Sequence, residues 1–454
     1  MGGTPQERTA PCGARWRRNP EDVAVGVAVA AGLRVLLALG LLTMAWLGLA
    51  PVAWAHAELR AAEPPDPCLV PKTSRGADLE TAAACTDGVV LDQAPTSVRV
   101  TFSEPVEPIA GGLKVRGPDG RPVTRGDVRV EGTSLSVDVD AGTVGSYLVS
   151  WRVVSQDTHP ALGSYVFSVG QPSAVAGLGV PVELGNVTPL GLGLQVAGRL
   201  LHFLGFALTF GVLLCGWLTR PSGWPLVAPT LVATGLACLL VAEPVALLGQ
   251  SASLGTDQLL DPDTLTDILG SSTFGRVLAL RVGVAILLWV VLGSTRAAPR
   301  WLGWLVLLLA AALATIDGQA SHAVGAQPAW LALLANGIHL LAMAIWVGAL
   351  VLVVTRRLPA ASLGRVAGLA LTLLVGTGLV LALEHLTGPT DLLQSDYGRA
   401  LLLKLGVLVG VVLLAGFALR GQGALGWRLR QGQAVGLAAI LTAAGVLVSL
   451  PPPR

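Results

Sequence analysis

Charge is scarce in this sequence: Asp, Glu, Lys and Arg make up 13% of the 454 residues, against 53% that are hydrophobic. That balance lies outside the soluble norm and places most of the chain in lipid. No sign of charge dominates either. The formal net charge is +2, and the arginines fall in short clusters rather than along one face, which argues against a nucleic-acid footprint. The five cysteines contain no CxxC pair, which argues against a zinc ribbon or a thioredoxin-like redox motif. A P-loop, a Walker lysine and a kinase-like glycine loop are also missing, so ATP-driven pumping by this chain is not expected. Histidine is limited to six residues and methionine to three.

What is present begins with a leader. Residues 1 to 22 are polar, with Arg15, Arg17 and Arg18 clustered, and an apolar run from about Val35 to Ala50 precedes Ala53-Trp54-Ala55. A charged region, an apolar region and an A-x-A site predict a signal peptide over 1–55. Cleavage makes His56 the first residue of the mature chain and removes Cys12. An uncleaved anchor is the competing reading, because Arg34 interrupts the apolar stretch.

From His56 to about Gly170, short runs such as Ser97-Val98-Arg99-Val100-Thr101-Phe102 alternate apolar and polar residues, with Gly, Pro and Asp between runs. Period two predicts about seven antiparallel strands in an all-β, Ig-like or cupredoxin-like sandwich over 56–170. Cys68 and Cys85 lie in one polar stretch of this domain, where an oxidising compartment permits a disulfide between them. Residues 171–191, rich in Gly, Pro and Val, read as a linker. Residues 192–454 read as an α-helical polytopic membrane domain of about eight spans, near 194–217, 224–247, 274–294, 300–317, 328–354, 363–385, 398–419 and 427–449.

Loops after the odd-numbered spans carry Arg220, then Arg296 and Arg300, then Arg356, Arg357 and Arg365, then Arg420, Arg428 and Arg430, which puts them in the cytoplasm. Loops after the even-numbered spans carry Asp257, Asp261, Asp263 and Asp267, then Asp317 and His322, then Asp391 and Asp396. Those loops face the side to which the β-domain is exported. The expected topology is a multi-pass protein of the plasma (inner) membrane with the β-domain and the C terminus extracytoplasmic.

A mature N-terminal histidine offers its α-amine and a ring nitrogen to one metal ion. In Ser155-Gln156-Asp157-Thr158-His159-Pro160, Asp157 and His159 stand two residues apart, on one face of an extended segment. His56, Asp157 and His159 together supply an amine, two imidazoles and a carboxylate, a set suited to tetragonal Cu(II) rather than to tetrahedral structural zinc. Asp-x-His alone is a weak signal. Its conjunction with a histidine at the cleavage point is what singles it out.

His56-Ala57-Glu58-Leu59, Phe102-Ser103-Glu104-Pro105-Val106 and Trp151-Arg152-Val153-Val154-Ser155-Gln156-Asp157-Thr158-His159-Pro160 resemble the copper-resistance family CopC, and the membrane part is similar to its partner family CopD. Almost all of the mature chain therefore resembles a fused CopC–CopD protein. The resemblance implies a Cu(II) site made by the N-terminal histidine and the D-x-H motif, matching His56, Asp157 and His159, and copper movement that is commonly inward. Two departures stand out. Some members carry a Met-rich Cu(I) site, whereas Met1, Met44 and Met343 leave the exported domain with no thioether. The stretch around Cys68 to Cys85 reads as an insertion between the first two strands.

The other four histidines, His202, His322, His339 and His385, fall in the outer half of the membrane domain or at its edge. His202 lies one turn from Arg199, and His339 shares a face with Met343 and Trp346. Glu243 and His385 come at the outer ends of the second and sixth spans. Ionisable residues at membrane depth usually face a protein interior or a water-filled path, which makes Arg199, His202, Glu243, His322, His339, Met343 and His385 a candidate transport pathway. Hydrogen bonding between helices is the plainer reading. Arg276, Arg281, Arg399 and Lys404 read as snorkelling side chains, and Cys215 and Cys238 as small buried residues.

The expected function is capture of Cu(II) outside and its passage to the helices for inward transport, or for copper homeostasis and resistance, by a protein that is not an enzyme. Copper and the lipid bilayer are the expected partners, nucleic acid is not, and a chaperone or reductase is unassigned. The rivals are a membrane-anchored copper buffer or sensor, and an oxidative copper enzyme, which the Asp157 carboxylate opposes by filling the position that oxygen needs.

Overall fold

A computed structural model of the chain describes residues 57, 59–66, 88–155, 158–173, 188–219, 228–294, 299–321, 328–386, 388–420 and 423–449. His56, Cys68, Cys85, Asp157 and His322 lie outside the described residues, as do the expected leader and disulfide.

Eight strands are described rather than about seven: β1 Leu59–Glu63, β2 Val89–Leu91, β3 Ser97–Phe102, β4 Val106–Arg116, β5 Thr124–Glu131, β6 Ser134–Val139, β7 Gly145–Ser155 and β8 Pro160–Val169. They form two four-stranded sheets, β1-β3-β6-β5 and β2-β8-β7-β4, with β2 parallel to β8. Alternation builds the core. Val98, Val100 and Phe102 of β3 are buried, as are Val149, Trp151 and Val153 of β7. Phe102 meets the Trp151 ring edge-on at 6.2 Å, and Tyr147 stacks on Phe167 at 5.1 Å.

At the end of β7 the alternation fails, because Val154 and Ser155 are buried as well as Val153. The second face of the strand is covered there. Val154 and Ile109 pack against Leu254 and Ile268 of the helical domain.

The helices are α1 Pro189–Thr219, α2 Pro229–Ser253, α4 Thr273–Ser294, α5 Arg300–Gln319, α6 Ala329–Val354 and α7 Ala360–His385, with a short α3 Pro262–Ser271 between α2 and α4. Helices α8 Asp396–Arg420 and α9 Gly423–Ser449 complete the chain. Among the described residues seven helices, α1, α2 and α4 to α8, are long and apolar enough to cross a membrane. In α9 the described apolar stretch is Val435–Val448, within the eighth span expected at 427–449.

Two helices start at side-chain caps. Thr188 Oγ1 accepts from the Gly191 N–H at 3.0 Å and donates to the Ala252 carbonyl at 2.6 Å, capping α1 and tying it to the end of α2. Pro189 fits the first turn, where an N–H would have no partner. Asp261 caps α3 by accepting from Thr264 N at 2.8 Å, and hydrogen bonding by the Thr264 side chain, with the backbone N–H second, holds its carboxyl below the usual carboxylate range.

Helices approach closely where a side chain is missing. A Cβ on Gly211 of α1 would lie 1.9 Å from the Ala344 carbonyl oxygen of α6, so the contact is open only to glycine. Residues such as Leu308, Leu369, Leu379 and Leu383 are exposed on the outside of the bundle. Trp289, Trp301 and Trp304 are exposed at the end away from the β-domain, where amphipathic rings suit a membrane interface.

Candidate metal centre

The β7–β8 turn carries His159. Ser155 N and Oγ both donate to the His159 carbonyl, at 2.8 and 3.0 Å, and Thr158 N donates to the Ser155 carbonyl at 2.9 Å. Thr158 has φ 70°. A β-branched residue in that region is strained, by about 1–3 kcal/mol, so the surroundings must hold the turn in place.

The helices supply that hold. Gln250 Nε2 of α2 donates to the Thr158 carbonyl at 3.0 Å. Arg199 Nη2 of α1 lies 3.0 Å from His159 Nε2. A guanidinium has only donors, so Nε2 accepts and the His159 ring is neutral, with its proton on Nδ1. Glu107 of β4 adds a third contact by accepting from Thr273 N at 2.6 Å and Thr273 Oγ1 at 2.8 Å. A carboxylate at the first N–H of α4 meets the positive end of the helix dipole. Arg276 lies 3.2 Å from the same carboxylate, so it is a domain-bridging ion pair and not merely a snorkelling side chain.

His202 follows Arg199 by three residues, about 4.5 Å along the helix axis. It is buried, with Nδ1 3.3 Å from Glu243 Oε1 and Nε2 2.9 Å from Asp317 Oδ2. Arg281 closes the cluster, Nε donating to Asp317 Oδ1 at 2.7 Å and Nη1 lying 3.7 Å from Glu243 Oε2. Two sequence expectations are corrected here. Arg281 does not reach out of the bundle; its side chain is 18% exposed and is held by two carboxylates. Asp317 is not in a loop but in the last turns of α5, and it is buried.

Gln195, Arg199 and His202 stand at i, i+4 and i+7 on α1. Gln195 donates to Ser253 Oγ at 2.9 Å. A polar stripe thus runs down one face of an apolar helix, from the end of α2 past the β7–β8 turn to the charged cluster. That spacing is readable in the sequence, and it marks Gln195 as well as the two residues already singled out.

The remaining sites lie apart from this stripe. His339 Nδ1 is 3.1 Å from Thr377 Oγ1 of α7, and Met343 is packed in the apolar core of the bundle. His385 stacks on Tyr397 at 5.8 Å, with Nδ1 2.5 Å from the Leu381 carbonyl oxygen. Cys215 and Cys238 are free, the former fully buried. Among the described residues no group of three or more His, Cys, Asp and Glu side chains is placed to hold a metal ion. For copper the β-domain offers His159, an imidazole with one lone pair, while both ring nitrogens of His202 already face carboxylates.

Residues 81–170 match the CopC domain family, and residues 190–329 match the family of copper resistance protein D-like N-terminal domains. The copper transport protein CutJ of Bacillus subtilis (strain 168) is 24% identical over 421 residues, which span 85% of this chain and 76% of that protein. Copper resistance protein C of Xanthomonas campestris pv. juglandis is 35% identical over 85 residues, 17% of this chain and 67% of that protein. The crystal structure of CopC from Methylosinus trichosporium OB3b aligns with 26% of this chain and 95% of its own, at 25% identity and a TM-score of 0.19.

Proposed function

The chain belongs to the copper-resistance proteins that join a CopC domain to a CopD-like membrane domain, and from that premise we propose that it captures Cu(II) outside the membrane and passes copper into the helices for transport inward. In this reading residues 56–170 are the copper-binding domain, 171–191 a linker and 192–454 the membrane domain. His56, Asp157 and His159 are the ligands, with His56 supplying an α-amine after cleavage behind Ala55. The exported side is the β-domain end of the bundle, in keeping with Arg300, Arg356, Arg357 and Arg365 at the other end.

One observation carries the proposal. The turn that presents His159 is seated directly on α1 and α2, one helical turn from the buried His202. A binding domain that served only as a tethered trap would need no such seat. The matched families are concerned with copper resistance and transport, which removes the oxidative enzyme from contention.

A second reading, a membrane-anchored copper buffer or sensor, draws on a different observation. Arg281 fills the space between Glu243 and Asp317 and leaves no three-ligand site among the described residues of the bundle. Cellular copper measured with and without the gene separates the two: transport requires a fall in accumulated copper on deletion, whereas unchanged accumulation with altered copper tolerance supports the buffer. N-terminal sequencing of the mature protein together with metal analysis tests cleavage and occupancy in one preparation.

A further inference from the structure

We propose that Arg199 competes with copper for the ring of His159, so that seating the β7–β8 turn on the helices loosens copper at the point where it is to be handed on. This rests on the reading of His159 as a copper ligand. A neutral imidazole has one nitrogen lone pair. Here that lone pair is on Nε2 and accepts from Arg199 Nη2 at 3.0 Å.

Copper bound at Nε2 takes the lone pair and displaces Arg199. Copper bound at Nδ1 drives the ring proton to Nε2, where one donor then faces another. Either mode breaks the Arg199 contact. The guanidinium is charged at every relevant pH, so it also repels a cation on the neighbouring ring. His159 can therefore hold copper fully or be seated fully on Arg199, but not both.

The rest of the seat does not involve a copper ligand. Gln250 holds the Thr158 carbonyl, Glu107 holds the start of α4, and Ile109 and Val154 pack on Leu254 and Ile268. These contacts keep the turn in place while the Arg199 bond reforms and the His159–copper bond weakens. Arg199 is thus a positioning residue for release. By thermodynamic linkage, the factor by which the Arg199 contact weakens copper binding equals the factor by which copper weakens that contact.

The test is Cu(II) affinity of the full chain in detergent, measured by competition with a chelator. Arg199→Leu is expected to bind Cu(II) about tenfold more tightly than the wild type, within the usual range of coupling between sites, and Arg199→Lys, which keeps charge and donor, to stay close to it. Gln250→Leu loosens the same seat without touching His159 and is expected to tighten binding in the same direction. It carries the test if Arg199→Leu does not yield folded protein. His159→Ala fixes the premise. If it weakens binding while neither Arg199→Leu nor Gln250→Leu tightens it, the competition is wrong and the ligand assignment stands. If His159→Ala leaves affinity unchanged, the ligand assignment itself is wrong.

Discussion

Arg281 pairs with two carboxylates inside an apolar bundle. Glu243 and Asp317 are 3% and 7% exposed, and a lone buried carboxylate is costly unless it is paired. Arg281 and His202 each touch both acids, so a protonated His202 would bring the cluster to neutrality. Arg281→Met removes one charge and leaves a carboxylate uncompensated. It is expected to destabilise the protein by about 3–5 kcal/mol, read as a lowered thermal midpoint in detergent. The double variant Arg281→Met, Asp317→Asn should recover part of the loss, because the two side chains interact directly and their effects are coupled. A simple sum of the two single effects would mean that the ion pair is not what stabilises Arg281.

At the scale of elements, close helix contacts and the docked β-domain depend on very small residues and on broken patterns. Gly211 of α1 lies under the Ala344 carbonyl of α6, whereas Gly283 of α4 has no neighbour within 4 Å of the position a Cβ would take. Gly211→Ala is therefore expected to cost about 1–3 kcal/mol, the usual penalty of overpacking. Gly283→Ala should be neutral or slightly stabilising, because alanine is the better helix former. Thermal unfolding of both variants in detergent checks the pair, and equal effects would show that the α1–α6 approach is not limiting. These elements differ in how legible they are from sequence. Period two in β3 and the long apolar run of α1 dictate a strand and a helix locally. The end of β7 is different: the doubled Val153-Val154 records a second buried face, and its cause is Leu254 and Ile268, about a hundred residues away. The charged cluster is harder still, since Glu243 and Asp317 stand 41 and 115 residues from His202. No local pattern links Arg281 to them. Short range made Arg199 and His202 visible as a pair, and long range hid their partners.

For the molecule as a whole, the decisive question is whether the mature N terminus and the turn act as one copper site above the helices. The described residues place His159 in that seat, while the proposed roles of His56 and Asp157 rest on ligand chemistry and family. A metal ligand must be deprotonated, and the groups proposed here titrate in different ranges: an α-amine at about 7.7–8.0 and an unperturbed imidazole at about 6.5. Affinity for Cu(II) should therefore fall in two stages as pH is lowered, first through the amine range and then more steeply through the imidazole range. A chain with Met placed before His56 has no α-amine at that position. It should bind Cu(II) more weakly near pH 8, and its affinity should stay flat between about pH 8 and 7 before falling through the imidazole range. Competition titrations of the full chain at a series of pH values read both features. If the two proteins share one affinity and one pH profile, the amine is not a ligand and the copper site is confined to the turn.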